Sequence, residues 1–256
     1  MQTLRFPTAF LLGCATVFVI AVAATVHFCG SMAGGMDMPG GWTMSMMWMA
    51  MPGYTWTGSA AMFLLMWLVM MVAMMLPSAL PMLLKIRQST GHFEMPALVA
   101  AAGFFFVWMV IGAVVYGAGV WYAMETMRMD WLSRITPLLS GAVLILCGVV
   151  QFTPWKLTKL RQCRAPDCGM LQKGGAVAGG WRYGVKQGMA CCLCCAGPML
   201  AMLVLGAMNL MVMVAVSGVI AAEKLLPWPQ KVVRVFGVVA LLVGVGIVGR
   251  SLAGLD

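Results

Sequence analysis

The chain has 256 residues, of which 62% are hydrophobic and only 9% charged, and its mean hydropathy is +0.96. A water-soluble domain of that size needs far more charge on its surface, so the solvent of most of this chain is lipid. The net charge of +9 does not indicate nucleic acid, because the basic residues sort by position along the chain.

A spanning helix takes about 20 apolar residues. The first such run covers 10–28. Arg5, the apolar stretch from Thr8 to Ile20 and Ala21-Val22-Ala23 also fit a signal peptide with a small-residue cleavage site. The run continues to Phe28, long enough to span, and a retained first helix is the reading preferred. Residues 29–56 follow, glycine-rich and uncharged apart from Asp37, with Met32, Met36, Met38, Met44, Met46, Met47, Met49 and Met51 beside Trp42, Trp48 and Trp56. Tryptophan favours the membrane interface, and thioethers bind Cu(I) even where thiols are oxidised. The segment therefore reads either as an interfacial loop or as a soft-metal capture loop.

The second apolar run, 58–84, carries Met62, Met66, Met70 and Met74 at four-residue spacing, with Met71 and Met75 beside them. That spacing keeps them on adjoining positions of one helix face, as packing or as a ligand track. Pro77 and Pro81 then each remove a backbone donor and free a carbonyl, which marks a packed or functional kink. Two further runs cover 97–122 and 136–153. Residues 154–187 read as a long polar loop with seven basic residues, Asp167 and the pair Cys163 and Cys168. Two cysteines five apart are a weak metal signal on their own.

The runs 188–206, 208–223 and 232–249 complete a set of seven, or six without the first. Continuous runs of this kind predict an all-α polytopic transmembrane bundle, not a β-barrel. No internal repeat is visible, and 1–256 reads as a single integral-membrane domain. With the N-terminus in the cytoplasm, thirteen of the sixteen basic residues fall inside, leaving Arg128, Arg134 and Arg250 outside. This positive-inside bias predicts a multi-pass protein of a bacterial inner membrane, with the lipid bilayer and its anionic headgroups as first partners and no nucleic acid. Cys163, Cys168 and residues 191–195 then lie on the reducing side, and no disulfide framework follows. Cys29 is alone on the outer side, with no nearby partner in sequence.

The densest chemistry is Cys191-Cys192-Leu193-Cys194-Cys195. On a helix, Cys191, Cys194 and Cys195 share a face and Cys192 turns about 100° away. Three thiols on one face suit a trigonal soft-metal site, of the kind that selects Cu(I) or another thiophilic ion. Cysteines also let helices pack closely, as glycine and alanine do, and a thiol redox pair is a third reading. Rise per residue places Cys194 at the depth of Met74 and Pro77, so thiols and thioethers meet if the two helices touch. The candidate ligand set is Cys191, Cys194, Cys195 and Cys192, with Met70, Met71, Met74 and Met75, and Cys163 from the loop. His27 and His92 lie near opposite faces. Glu223 beside Lys224 reads as an interfacial ion pair, and no nucleotide loop or serine-based constellation is present. An enzyme is not expected.

Several motifs recur together: Trp67-Leu-Val-Met-Met-Val-Ala-Met-Met-Leu-Pro77 with Pro81, Gln151-Phe-Thr-Pro154-Trp-Lys156, Cys163-Arg164 with Pro166, the Cys191/Cys194/Cys195 pattern, Gly206-Ala-Met208-Asn209, and Glu223-Lys224 with Pro227. In this order, over roughly 60–230, the chain resembles a bacterial family of unknown function catalogued as predicted metal-binding integral membrane proteins. The family pattern has a further cysteine where Lys159 stands here, which weakens a metal site confined to the loop and leaves the 191–195 cluster untouched. The resulting expectation is a membrane protein that binds Cu(I) and transfers or delivers it without ATP, with a membrane or periplasmic metalloprotein as a possible partner. The competing expectation is a membrane subunit whose methionine and cysteine faces only pack against a partner.

Overall fold

The computed structural model describes residues 8–31, 34–49, 55–89, 94–164 and 176–254. Eight α-helices account for most of them: α1 (Thr8–Ser31), α2 (Trp56–Ser89), α3 (Met95–Arg128), α4 (Asp130–Gln151), α5 (Pro154–Arg164), α6 (Ala176–Gly206), α7 (Leu210–Leu225) and α8 (Pro229–Leu252). In hydrocarbon no water satisfies a backbone amide, so continuous apolar runs close their hydrogen bonds within a helix. Six of the eight are long and apolar enough to cross a membrane. The exceptions are α5 and α7.

All seven apolar runs are helical, but the one at 208–223 yields only the 16-residue α7. Its length of about 24 Å falls short of a hydrocarbon core of about 30 Å. The local sequence sets its limits. Gly206 has φ +110° and closes α6 in a conformation that L side chains rarely adopt. Asn209 then caps α7, its side chain accepting from the amides of Met211 and Val212 at 3.0 and 3.3 Å. Pro227 and Pro229 follow its last turn. The motif Gly206-Ala-Met208-Asn209 is thus a helical hairpin turn.

Two expectations about loops are corrected. The stretch 154–187 is not one loop: 154–164 form α5, and 176–187 are the first turns of α6. Cys168 and Asp167 lie outside the described residues. The stretch 29–56 contains an antiparallel hairpin, β1 (Gly35–Met38) paired with β2 (Trp42–Ser45), and a short 3-10 turn at Met46–Trp48. The hairpin is pinned to α4 by a proline effect. Pro137 has no amide to bond the Ser133 carbonyl four residues earlier, and Trp42 Nε1 donates to that carbonyl at 3.0 Å. Ser133 Oγ returns a bond to the Pro39 carbonyl at 2.7 Å.

Without a strong hydrophobic drive between helices in lipid, close packing requires small residues. Gly184 of α6 lies so near α3 that a Cβ there would clash with the Ala100 carbonyl oxygen. In the α4–α8 pair, added Cβ atoms at Gly141 and Gly244 would each come within 3 Å of the opposite backbone. These contacts hold α3 against α6 and α4 against α8. The largest buried cluster fills the space among α2, α6 and α7, and it contains most of the chain's buried sulfur.

Candidate metal centre

The sulfur ligands come from three helices. Along α6, Cys191, Cys194 and Cys195 are at most 1% exposed, and Cys192 is half-buried beside them. The i, i+3, i+4 spacing turns the first three to one face. Cys194 Sγ stands 3.5 Å from Cys195 Sγ and donates to the Cys191 carbonyl at 3.2 Å. Cys163, next to the end of α5, is partly buried and packs against the cluster that holds these thiols. Gln187 fixes its position by donating from Nε2 to the Cys163 carbonyl at 2.6 Å. The neighbouring Cys191 thiol is the main cause that raises the Cys163 pKa to about 11, with burial adding to it. A thioether completes the group: Met75 Sδ of α2 lies 3.9 Å from Cys191 Sγ.

The α2 methionines at 70, 71, 74 and 75 are all buried in the same cluster as the thiols. The contact with the thiols is made by Met75, one position from the Met74 that depth alone pairs with Cys194. Helix phase explains the shift, since successive residues differ by about 100° in direction.

Charged groups that read as topology signals in the sequence are built into this site. Lys224 Nζ donates to Cys191 Sγ at 2.9 Å and to Ser78 Oγ at 3.3 Å. Glu223 is no interfacial partner of Lys224. It is buried and ion-paired with Lys156 Nζ at 2.7 Å, the two side chains being 1% and 2% exposed. Lys156 has a second acceptor, the Cys194 carbonyl, at 2.5 Å. Pro198 lacks the amide that would otherwise bond that carbonyl, so the lysine completes a valence left open by the proline. Arg164 Nη1 donates to the Glu223 carbonyl at 2.7 Å, tying α5 to α7. The available sequence signals were Cys194 four residues before Pro198, and an acid–base pair closing an apolar helix. A small cavity of about 60 Å³ lies against the group, lined by Ser78, Pro81, Lys85, Cys163, Gln187 and Lys224 among others.

Four thiols and a thioether are soft donors suited to a monovalent thiophilic ion. Among the described residues, no group of three or more His, Cys, Asp and Glu side chains is arranged to hold a metal ion. Lys224 would offset the negative charge of a Cys191 thiolate in this buried place.

A family model named PpoB2 and described as a copper chaperone matches residues 64–247. The chain belongs to this copper-chaperone family. The matched stretch holds α2 from its first turns through most of α8, and so every residue of the thiol centre. No curated protein and no solved structure matches the chain. Membership in the PpoB2 family points to copper-related chemistry.

Proposed function

We propose that the protein carries Cu(I) within a membrane and delivers it to a metalloprotein, taking copper as cargo at the centre formed by Cys163, Cys191, Cys194 and Cys195 with Met75. The observation that carries this reading is that α6 thiols and the Met75 thioether are buried in one cluster, with Cys163 of α5 packed against it. Cu(I) is stable with two or three sulfur ligands. A group of more donors than one ion needs lets ligands exchange one at a time, so the ion moves without being released to water. Cys163, on the short helix outside the long apolar ones, is placed to make the first or last of these exchanges beside the cavity.

Nothing in the sequence resembles an ATP site, and the role is transfer rather than catalysis. The positive-inside bias supports an inner-membrane location with the thiol centre facing the cytoplasm. The competing reading, a packing subunit, draws on the lack of a closed cage among the described residues. Metal content separates the two. The purified, detergent-solubilised wild type is compared with the Cys191→Ser, Cys194→Ser, Cys195→Ser triple variant. Copper near one ion per chain or above, lowered by about one ion in the variant, supports the carrier. Absence of copper from the wild type, even after anaerobic Cu(I) loading, defeats it.

A further inference from the structure

The cysteine that sequence leaves alone, Cys29, has a partner in the fold. Its Sγ lies 3.6 Å from the thioether of Met213, across 184 residues of chain. The two side chains are 7% and 3% exposed. Met213 is near the start of α7 and Lys224 near its end. Eleven residues of helix separate them, about 16 Å. The Cys29–Met213 pair therefore sits toward the other end of α7 from Lys224 and the thiols it faces.

A second observation points to a missing ligand. Thr25 lies one turn before Cys29 on the same face of α1, is 7% exposed, and among the described residues its hydroxyl has no hydrogen-bond partner. A helical threonine ordinarily returns its hydroxyl to the carbonyl four residues back. Thr16 of the same helix does so, at 2.9 Å to Leu12, and Thr136 of α4 does so to Leu132 at 2.9 Å. Thr25 departs from that habit at the turn next to a buried thiol.

We propose that Cys29 and Met213 form a second soft-metal site for Cu(I), with the Thr25 hydroxyl positioned to donate to the thiolate that a bound ion creates. Binding forms one bond from copper to the Cys29 sulfur and one to the Met213 sulfur. The thiol proton leaves to solvent, and copper keeps its oxidation state. The choice of Cu(I) as occupant rests on the function proposed above; the site itself rests on the two observations just given. Cys29 lies outside the stretch that matches the PpoB2 family, so the family assignment does not supply it. Between the two centres, Met66, Met70 and Met74 of α2 and Met199 and Met202 of α6 are buried in the cluster that contains both. Thioether donors thus share one buried cluster with both groups.

The test counts Cu(I) on the full-length protein in detergent, anaerobically, in competition with a chromophoric Cu(I) chelator. The wild type should bind about two ions. The Cys29→Ser, Met213→Leu variant should lose one of them, and a variant with Cys163, Cys191, Cys194 and Cys195 all changed to Ser should keep one, bound at the distal pair. If the distal variant binds as much as the wild type, the second site falls and the carrier reading stands. If the thiol-centre variant loses nothing while the distal variant loses its ion, the carrier centre falls and the second site stands. Met213→Leu conserves volume, and a readout without variants guards against misfolding: Cu(I) should slow alkylation of Cys29 in the wild type at least tenfold, mapped by mass spectrometry. An unchanged rate overturns the proposal.

Discussion

Replacing Lys156 by methionine removes one ammonium and keeps a long flexible side chain in its place. The ion pair with Glu223 is 2.7 Å long, with both side chains almost fully buried, so the variant leaves an uncompensated carboxylate in the core. Loss of one partner of such a pair costs about 3–5 kcal/mol. The Cys194 carbonyl also loses its donor, and no amide can replace it because Pro198 stands four residues on. An orphaned buried acceptor costs about 1–3 kcal/mol, which puts K156M near the top of the first range, at about 5 kcal/mol. The double variant K156M/E223L removes both charges and leaves only the carbonyl, so its loss should be about 1–3 kcal/mol. The double should therefore be more stable than K156M by about 2 kcal/mol or more. Reversible denaturation in detergent micelles, followed by tryptophan fluorescence, measures all the states. A K156M variant within about 1 kcal/mol of wild type, or a double variant no more stable than K156M, refutes the account of this pair.

Other parts of the structure give independent expectations. Trp42→Phe should destabilise the protein by about 1 kcal/mol by removing the donor to the Ser133 carbonyl; in a Pro137→Ala background, where a helical amide can take over, the same change should cost little in the same denaturation assay. Gly184→Ala places a Cβ against the Ala100 carbonyl and should cost about 1–3 kcal/mol through overpacking. Gly117→Ala in α3 meets open space and should be neutral or stabilising by up to about 1 kcal/mol. Asn209→Ala removes the α7 cap and should lower stability by about 1 kcal/mol, read as a shift in the unfolding midpoint. Cys192→Ser should leave the Cu(I) affinity of the thiol centre unchanged where Cys191→Ser weakens it, measured by chelator competition, because Cys192 stands off the face that the other thiols share.

The helices were legible in the sequence because each answers a local demand. An apolar run in lipid must close its own hydrogen bonds, so the seven runs are helices, and residues 191, 194 and 195 share a face wherever that helix goes. Local rules also explain the turn at Gly206 and Asn209. They did not reach α5, whose composition is polar and whose helix is settled by docking on α6 and α7. The site was half legible for the same reason. Periodicity groups the α6 thiols, but it is silent on which α2 methionine meets them, since that depends on the relative rotation of two helices.

Sequence by itself determined an all-α chain with helices long and apolar enough to cross a membrane, and with soft donors concentrated on α6 and α2. Only the tertiary structure decided that Cys163 joins the thiols, that Lys224 faces Cys191, that Lys156 serves both Glu223 and the carbonyl freed by Pro198, and that Cys29 pairs with Met213. These contacts join residues far apart in the chain, from 24 positions for Gln187 and Cys163 to 184 for Cys29 and Met213. Helical periodicity correlates residues over a few turns. At such separations, partners are set by how glycine-lined faces bring whole helices together.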